Sequence, residues 1–378
     1  MYLDRVPRLI SYHDTWMSID PIHGCPYQCA YCVLRYGDKT GVRPQVIASP
    51  EETLKQLTQH PFFRPGITPL AIGNETDILH PLNKDYLIDL LGIFQAGGIT
   101  NPISLITKTP LQNETLENIR KLDRLRIVFY LSYSGLGNHH EPGFRDENFR
   151  ENFIRVKQWG FPIVHYWRPL LPENTTSDAI IRMLEFVSTV ADASVVIGLK
   201  LHPELSKIIN GSGGIRIPQD YLDKYGEWLE ASAIDEIFAT ANRICPDYPI
   251  YRHGSCALAR VLSKPNHTAT IYQKDICLPS HCPMTQRNVC TSHRTVPNKD
   301  QVTLLLQSIG RNPPFQYSED CIAIDDTFTQ EEFIYLLHVL NYPVKVQQIE
   351  YQNIYRGSIF SSQPETNNLM YANGTKKT

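Results

Sequence analysis

Gly24 to Cys32 read GCPYQCAYC, a C-x3-C-x2-C arrangement with an aromatic residue directly before the last cysteine. The segment follows a strand-like run, Trp16 to Asp20, so it forms the loop at the carboxyl end of a first strand. Three thiolates on one tight loop hold three irons of a 4Fe-4S cubane and leave the fourth iron without a protein ligand. An open coordination position admits a substrate or cofactor. Cys25, Cys29 and Cys32 are therefore predicted to bind a catalytic cluster.

A structural zinc ion is the alternative for these cysteines. A closed zinc site takes four ligands in a tetrahedron. His23 is the nearby residue in the sequence that would have to complete it. Three cysteines so closely spaced make a poor closed tetrahedron, which favours the iron–sulfur interpretation.

Strand-like and helix-like segments alternate in the cysteine-free middle of the chain. The predicted strands cover residues 16–20, 67–72, 103–107, 125–133, 162–168 and 194–201, and predicted helices begin at Ser49-Pro50 and cover residues 83–96, 114–121, 146–159 and 177–191. Six strands joined by right-handed crossovers predict a parallel α/β sheet, either doubly wound or curled into an open barrel. In both architectures the loops at the carboxyl ends of the strands build the active site.

The composition excludes several classes of protein. Of the 378 residues, 42% are hydrophobic and 20% charged, which suits a core of barrel size and excludes disorder for most of the chain. A net charge of −3 gives no electrostatic footprint for duplex DNA. Met1 to Asp20 contains no long apolar run of the kind found in an export signal. The chain has nine cysteines, and this odd number argues against a disulfide framework. The predicted location is the cytoplasm, without a membrane partner.

The cysteine loop after a first strand, in a chain of alternating strands and helices, resembles the radical S-adenosylmethionine (SAM) superfamily. The resemblance implies a partial (β/α)6 TIM-like barrel in which the open iron binds the amino and carboxylate groups of SAM. It further implies that the reduced cluster passes one electron into the sulfonium. The products are methionine and a 5′-deoxyadenosyl radical, which abstracts hydrogen from the substrate.

Gly73 to Asp77 read GNETD and are similar to the Thr-Asp-containing loop of the spore photoproduct lyase-like branch of that superfamily. In that branch the loop contacts the SAM amino group, so the resemblance makes Glu75, Thr76 and Asp77 candidate cofactor ligands. The positively charged ammonium group of SAM forms strong hydrogen bonds with carboxylate acceptors. The alternative is a helix N-cap ahead of Pro81.

Similar segments at the ends of the later strands supply further candidate cofactor-binding residues. Thr107 and Ser132 offer hydroxyls to the ribose diol, and Lys108 is placed to reach the SAM carboxylate. Arg145 belongs to a Glu-Pro…Arg segment typical of the branch, and Arg168 closes the fifth strand, where a guanidinium grips a carboxylate. Helix capping is the alternative for the hydroxyls, and a surface salt bridge for Arg145.

A second group of cysteines, Cys256, Cys277, Cys282 and Cys290, follows the sixth strand. Four thiolates suffice for a second 4Fe-4S cluster, and many radical SAM enzymes carry auxiliary clusters after the barrel. Zinc is the alternative, with His281 and His293 as substitute ligands. Cys245 and Cys321 are interpreted as ordinary buried thiols, and the alternative is that either replaces one of the four.

Three regions follow from these patterns. Residues 1–240 are predicted to form the radical SAM partial barrel, and residues 241–296 a cysteine-rich auxiliary metal-cluster region. Residues 297–378 are predicted to form a small α+β region, with helices over 301–309 and 330–340, extended segments over 320–324 and 344–351, and a frayed tail.

The resemblance implies a radical SAM enzyme that takes an electron from an external donor such as flavodoxin or ferredoxin. Its predicted substrate is a peptide, metabolite or natural-product intermediate. Repair or modification of a nucleic-acid lesion is the first alternative, but the cysteine hydrogen donor of spore photoproduct lyase has no counterpart between Cys32 and Cys245. A nucleic-acid-binding module with structural metal knots is the alternative from another class.

Overall fold

The computed structural model describes residues 8–268, 277, 281–318 and 320–350. Within them the largest sheet has nine strands. In chain order the strands of the protein are β1 (Ile10–Tyr12), β2 (Met17–Ile19), β3 (Ile22–His23), β4 (Gln45–Val46), β5 (Leu70–Ile72), β6 (Pro102–Thr107), β7 (Arg126–Ser132), β8 (Ile163–Leu170), β9 (Ala193–Leu201), β10 (Gly226–Trp228), β11 (Ile250–Tyr251), β12 (Phe315–Tyr317), β13 (Ile322–Thr329) and β14 (Val344–Glu350).

Six of these strands, β2, β5, β6, β7, β8 and β9, lie side by side in chain order and are all parallel. They are the six predicted strands. The helices that connect them are α1 (Pro50–Gln59), α2 (Lys84–Ala96), α3 (Asn113–Arg120), α4 (Asp146–Gln158) and α5 (Ser177–Val190). The predicted alternation of strands and helices, and with it a partial TIM-like barrel, is confirmed.

The first helix shows how the local sequence sets the element boundaries. The hydroxyl of Ser49 accepts a hydrogen bond from the backbone N–H of Glu52 at 3.2 Å, and Pro50 occupies the first helical position. Both features belong to a capped helix start. The capping signal in the sequence therefore gives the correct beginning of α1.

Alternate residues of the parallel strands face the inside of the barrel. On β7, β8 and β9 the inner face begins with apolar side chains, among them Val128, Val164 and Val195, which belong to one buried cluster. The helix α8 (Gly254–Val261) packs on this cluster, and the Tyr130 hydroxyl donates to the carbonyl oxygen of Gly254 at 2.9 Å. The amino-terminal half of the barrel interior is thus filled by apolar side chains.

Besides α8, the described residues between β9 and the C-terminal sheet include the helices α6 (Pro203–Gly211), α7 (Ala231–Ile244) and α9 (Met284–Ser292). Two short strands extend the barrel sheet at β9: β10 pairs antiparallel with its end, and β11 pairs parallel with its beginning. A strand of the cysteine-rich region, β11, is therefore part of the barrel sheet.

The C-terminal region forms a separate three-stranded sheet, β12-β13-β14, with the helices α10 (Lys299–Ser308) and α11 (Gln330–Leu340). It packs on the first strand of the barrel, where the Tyr12 hydroxyl lies 2.7 Å from Nδ1 of His338. The predicted tail over residues 361–378 lies outside the described residues. None of the helices in the described part of the chain has both the length and the apolar character that a bilayer crossing requires.

Candidate functional site

A cavity of about 150 Å³ lies at the carboxyl ends of the parallel strands. Its lining includes polar side chains on the inner face of the strands. Ser132 lies four residues after Val128 on β7, and Arg168 lies four residues after Val164 on β8, so each pair faces the barrel interior. The predicted site residues on its wall are Cys25, Cys29, Cys32, Thr76, Asp77, Thr107, Lys108, Ser132 and Arg168. The barrel therefore brings together residues from the carboxyl ends of five strands, β2, β5, β6, β7 and β8, that are distant in sequence.

The loop that carries the first three cysteines is held by backbone hydrogen bonds. The N–H of Cys25 donates to the carbonyl oxygen of Lys39 at 2.8 Å, and the N–H of Val42 donates to that of Cys25 at 3.2 Å. Gly24 has a φ of +89°, and a Cβ there would lie 2.9 Å from Cγ2 of Val42. The guanidinium of Arg35 donates to the carbonyl oxygen of Cys29 at 2.8 Å. The backbone thus fixes the loop from both sides.

Burial makes these thiols weak acids in the protein alone. It raises the pKa of Cys25 to about 12, with a further contribution from Asp77, and the pKa of Cys29 to about 12. Burial also raises the pKa of Cys32. Metal ligands are thiolates, so binding at this loop must release the thiol protons.

Asp77 links the loops after β5 and β6. Its carboxylate accepts hydrogen bonds from the Thr107 hydroxyl at 2.7 Å and from the backbone N–H of Lys108 at 2.8 Å. It also accepts from the N–H groups of Leu79 at 3.2 Å and Thr109 at 3.3 Å. These bonds position the two loops beside the cysteines, and direct binding of a cofactor by Asp77 and Thr107 stays a prediction.

A buried network joins the cysteine loop to Lys108. The ammonium group of Lys108 pairs with the carboxylate of Glu141, and the Tyr31 hydroxyl donates to the same carboxylate oxygen. The Glu141 side chain is completely buried. Burial alone lowers the pKa of Lys108, but the Glu141 carboxylate, with a further contribution from Cys29, raises it overall. Lys108 is therefore cationic beside the three thiols.

Sequence reasoning assigned no role in the site to Tyr31, and Glu141 entered it only as part of a family-like segment. The sequence feature that could have identified them is their position in the two motifs. Tyr31 is the aromatic residue directly before the last cysteine, and Glu141 directly precedes Pro142. Among the described residues, Oε2 of Glu141 has no hydrogen-bond partner although it is buried.

Two further cationic side chains line the cavity wall, Arg168 and Lys200. Arg168 donates to the Tyr166 hydroxyl at 3.1 Å and lies 4.5 Å from the centre of that ring. Lys200, at the end of β9, shares the wall, and burial together with the charge of Arg168 lowers its pKa. These residues give this part of the cavity a positive charge.

Two predicted cofactor ligands are not on the cavity wall. Glu75 forms an ion pair with Lys39, with Oε2 and Nζ 3.0 Å apart. Its carbonyl oxygen accepts from the N–H of Gly24 at 3.1 Å, and its N–H donates to the Asp20 carboxylate at 3.0 Å. Arg145 is exposed at the residue preceding α4. Neither side chain is among the residues that line this cavity. Cofactor binding by Glu75 and Arg145 stays a prediction.

The second cysteine group is remote from this cavity. Cys256 and Cys282 contact the apolar cluster at the amino-terminal half of the barrel. Among the described residues, no group of three or more His, Cys, Asp or Glu side chains has the arrangement that a single metal ion requires.

The donor set at the cavity fits an iron–sulfur cluster with bound SAM. Three thiols from one loop border the cavity and act on one another electrostatically, since Cys32 contributes to the raised pKa of both Cys25 and Cys29. Lys108 and Arg168 supply positive charge for a carboxylate. The orphaned carboxylate oxygen of Glu141 belongs to the same network.

Comparisons with known proteins bear on the fold. No protein-family model and no curated protein matches this chain. Among solved structures, a variant of spore photoproduct lyase is similar over 66% of this chain and 80% of its own, with a TM-score of 0.52 and 15% sequence identity. Another variant, with bound AdoMet and dinucleoside spore photoproduct, has a TM-score of 0.51 and 16% identity over the same coverage. The chain therefore has the fold of this radical SAM enzyme, which confirms the predicted resemblance for the fold.

Proposed function

We propose that this protein is a radical SAM enzyme whose reaction takes place in the cavity at the carboxyl ends of the parallel strands. The observation that carries the proposal is the convergence of Cys25, Cys29 and Cys32 with Lys108 and Arg168 on one cavity wall. In a barrel of this kind the carboxyl ends of the strands are where catalytic residues collect. When bound, a 4Fe-4S cluster supplies the electron that cleaves SAM to the 5′-deoxyadenosyl radical.

The chain's own residues bind and orient the cofactor in this proposal. The three cysteines hold three irons and leave the fourth open to the amino and carboxylate groups of SAM. Lys108, kept cationic by Glu141, attracts the carboxylate of SAM. Ser132 and Thr76 offer hydroxyl groups to the cavity, and Asp77 fixes the loops that present them. The apolar cluster below excludes water from beneath the cavity.

The proposed substrate is a peptide, metabolite or natural-product intermediate from which the radical abstracts hydrogen. The chain has no cysteine between Cys32 and Cys245, so a hydrogen-donating thiol from the middle of the chain, as in spore photoproduct lyase, is missing. An external electron donor such as flavodoxin or ferredoxin is proposed as partner. We assign the second cysteine group no step in this chemistry because it lies at the other end of the barrel interior.

Lesion repair or modification of nucleic acid is a second candidate function. It is favoured by the similarity to spore photoproduct lyase complexed with dinucleoside spore photoproduct, which has the same TM-score of 0.52. Arg168 and Lys200 on the cavity wall supply cations of the kind that bind a phosphate. Turnover of a lesion-containing dinucleotide, compared with turnover of peptides, separates the two candidates.

The proposed activity is tested with protein purified without oxygen and reconstituted with iron and sulfide. Wild-type protein is expected to be brown, to bind iron at the first site at about four per chain, and to release 5′-deoxyadenosine from SAM under dithionite. Cys29→Ala is expected to reduce this release to background because one iron loses its ligand.

Cys245→Ala is the matched control, since Cys245 lies at the end of α7 and away from the cavity. It is expected to retain both the iron and the release of 5′-deoxyadenosine. A colourless wild-type protein that binds zinc alone would contradict the proposal and favour a binding module with structural metal sites. Unchanged SAM cleavage in Cys29→Ala would contradict the assignment of the catalytic loop.

A further inference from the structure

Cys256, Cys277, Cys282 and Cys290 belong to the end of the barrel where the parallel strands begin. Ile250 and Tyr251 of β11 pair with Ser194 and Val195, near the first residue of β9. The helix α8, which carries Cys256, starts three residues after β11. His281, next to Cys282, forms an antiparallel bridge with Ile250. The four-cysteine group and the cavity are thus separated by the apolar cluster on the inner face.

Two of the four sulfur atoms accept hydrogen bonds from the same residue. The backbone N–H of Asn266 donates to Sγ of Cys290 at 3.4 Å, and its side-chain amide donates to Sγ of Cys256 at 3.5 Å. The buried amide of Gln286 also donates to Sγ of Cys290 at 3.5 Å. N–H groups directed at sulfur are the outer-shell contacts that orient and stabilise thiolate ligands.

The other two cysteines complete this group. The Cys282 thiol donates to the Tyr251 hydroxyl at 3.7 Å, and the Arg287 guanidinium donates to the backbone carbonyl oxygen of Cys282 at 3.1 Å. Cys256 and Cys290 share the contacts of Asn266, and Cys256 and Cys282 pack on the same apolar cluster. Cys277 precedes Cys282 by five residues in the sequence and supplies the fourth thiol of the group.

His281 does not compete with the cysteines for a metal here. His281 was a candidate substitute ligand, but its Nδ1 lies 2.7 Å from the carbonyl oxygen of Tyr248 and its Nε2 lies 2.8 Å from the side-chain oxygen of Asn242. Both ring nitrogens are used in holding β11 and α7 together. His293, the other candidate substitute, has its Nδ1 2.9 Å from the carbonyl oxygen of Val289 and stays an alternative ligand through Nε2. The proposed donor set is the four thiols.

We propose that Cys256, Cys277, Cys282 and Cys290 bind a metal centre through four thiolates, and that this centre fastens the amino-terminal end of the barrel without contacting the cofactor or the substrate. Four thiolates close a tetrahedral zinc site or a second 4Fe-4S cluster, so in both cases coordination is complete. Binding draws the thiols together and releases their protons to solvent, with no change of oxidation state required of the protein. The four-thiolate centre does not depend on the proposed function, whereas its separation from the cofactor and substrate rests on that function.

The proposal is tested on full-length protein by metal analysis and thermal unfolding. Cys282→Ser and Cys290→Ser are each expected to lose either one zinc or about four irons per chain and to unfold at a lower temperature. Cys245→Ser is the matched control and is expected to keep the metal content and melting temperature of the wild type. All three are expected to keep the change in the spectrum of the first cluster on addition of SAM.

A second measurement covers the case in which these variants do not fold. In Cys25→Ala/Cys29→Ala/Cys32→Ala the first site is removed, so the metal that remains belongs to the second site. One zinc or about four irons per chain supports the proposal, and the element found distinguishes the two centres. A folded triple variant without metal overturns it. Loss of the SAM-induced spectral change in Cys282→Ser, with Cys245→Ser unaffected, overturns the separation of the two sites.

Discussion

Lys108 and Glu141 form a buried ion pair beside three cysteine thiols, and the cost of burying each charge is offset by the other. Their side chains are 14% and 0% exposed, so neither charge is well solvated. Removing one partner of such a pair leaves a charge that the interior does not compensate. The pair is consequently both a feature of the site and a condition for its stability.

Lys108→Met is expected to reduce the free energy of unfolding by about 3 kcal/mol, because it leaves the Glu141 carboxylate without its cation. The double variant Lys108→Met/Glu141→Leu is expected to recover most of this loss while SAM binding stays weak. Urea unfolding and SAM titration measure the two effects.

Lys121→Met is the control, since Lys121 pairs with Glu117 on an exposed helix surface at 65% and 52% exposure. Its effect on the free energy of unfolding is expected to be under about 0.5 kcal/mol. A double variant that binds SAM as tightly as the wild type would remove Lys108 from the proposed binding site.

The sequence predicted the chemistry of the site better than its hydrogen-bond network. The spacing of Cys25, Cys29 and Cys32 identifies a local loop, and local patterns are readable from sequence. Glu141 meets Lys108 through the packing of separate loops, which no local pattern encodes. The same holds for Arg145: its segment was recognised, but its exposed position depends on how the chain enters α4.

The loop after β5 connects the cysteine loop to the next strand. The Thr76 hydroxyl donates to the carbonyl oxygen of Gly24 at 2.7 Å, and Asp77 accepts from the backbone of Lys108. Gly73 starts this loop with a φ of +84°, and a Cβ there would lie 2.5 Å from Cβ of Ile78. A side chain at this position conflicts with both the backbone conformation and the packing.

Gly73→Ala is expected to reduce the free energy of unfolding by about 1–3 kcal/mol and to weaken SAM binding, because it displaces Thr76 and Asp77. Gly92→Ala, inside α2, is the matched control: nothing lies within 4 Å of the added Cβ. There the change is expected to stabilise the protein by about 0.5–1 kcal/mol because alanine favours helix. Equal effects of the two substitutions on SAM affinity would contradict this account of the loop.

The long regular elements were predicted closely, whereas the short strands β10 and β11 were missed. The predicted strand over residues 125–133 corresponds to Arg126–Ser132, and the predicted helix over 330–340 to Gln330–Leu340. Strands such as β10 and β11, with three and two residues, carry too few positions for a periodic pattern. They exist because β9 offers them an unpaired edge.

The whole molecule depends on histidines that are buried in their neutral form. His165 lies between β7 and β9, with its ring nitrogens 2.9 Å from the Ser194 hydroxyl and 2.9 Å from the carbonyl oxygen of Tyr133. His338 joins the C-terminal region to the barrel: its Nε2 lies 2.8 Å from the carbonyl oxygen of Asp14. Burial lowers the pKa of His165 to about 4 and the pKa of His338 well below its usual value.

These pKa values predict a loss of stability in acid. Unfolding exposes the histidines, whose pKa then returns to about 6.5, so below that pH the unfolded state binds more protons than the folded one. The melting temperature is expected to fall as the pH drops from about 6.5 towards 4, which a series of thermal melts measures. His338→Gln is expected to reduce this dependence, and the exposed His139→Gln to leave it unchanged. A melting temperature that is constant down to pH 4.5 would contradict the prediction.

The apolar cluster formed by β7, β8, β9 and α8 determines by which end of the barrel reactants enter and leave. With that end of the interior filled, reactants arrive and depart through the mouth between the loops at the carboxyl ends. In the proposed function, a molecule held at the cysteines lies below any reactant that enters after it. We therefore expect an ordered mechanism, in which the sulfonium compound binds before the second reactant and its fragments leave after that reactant has left.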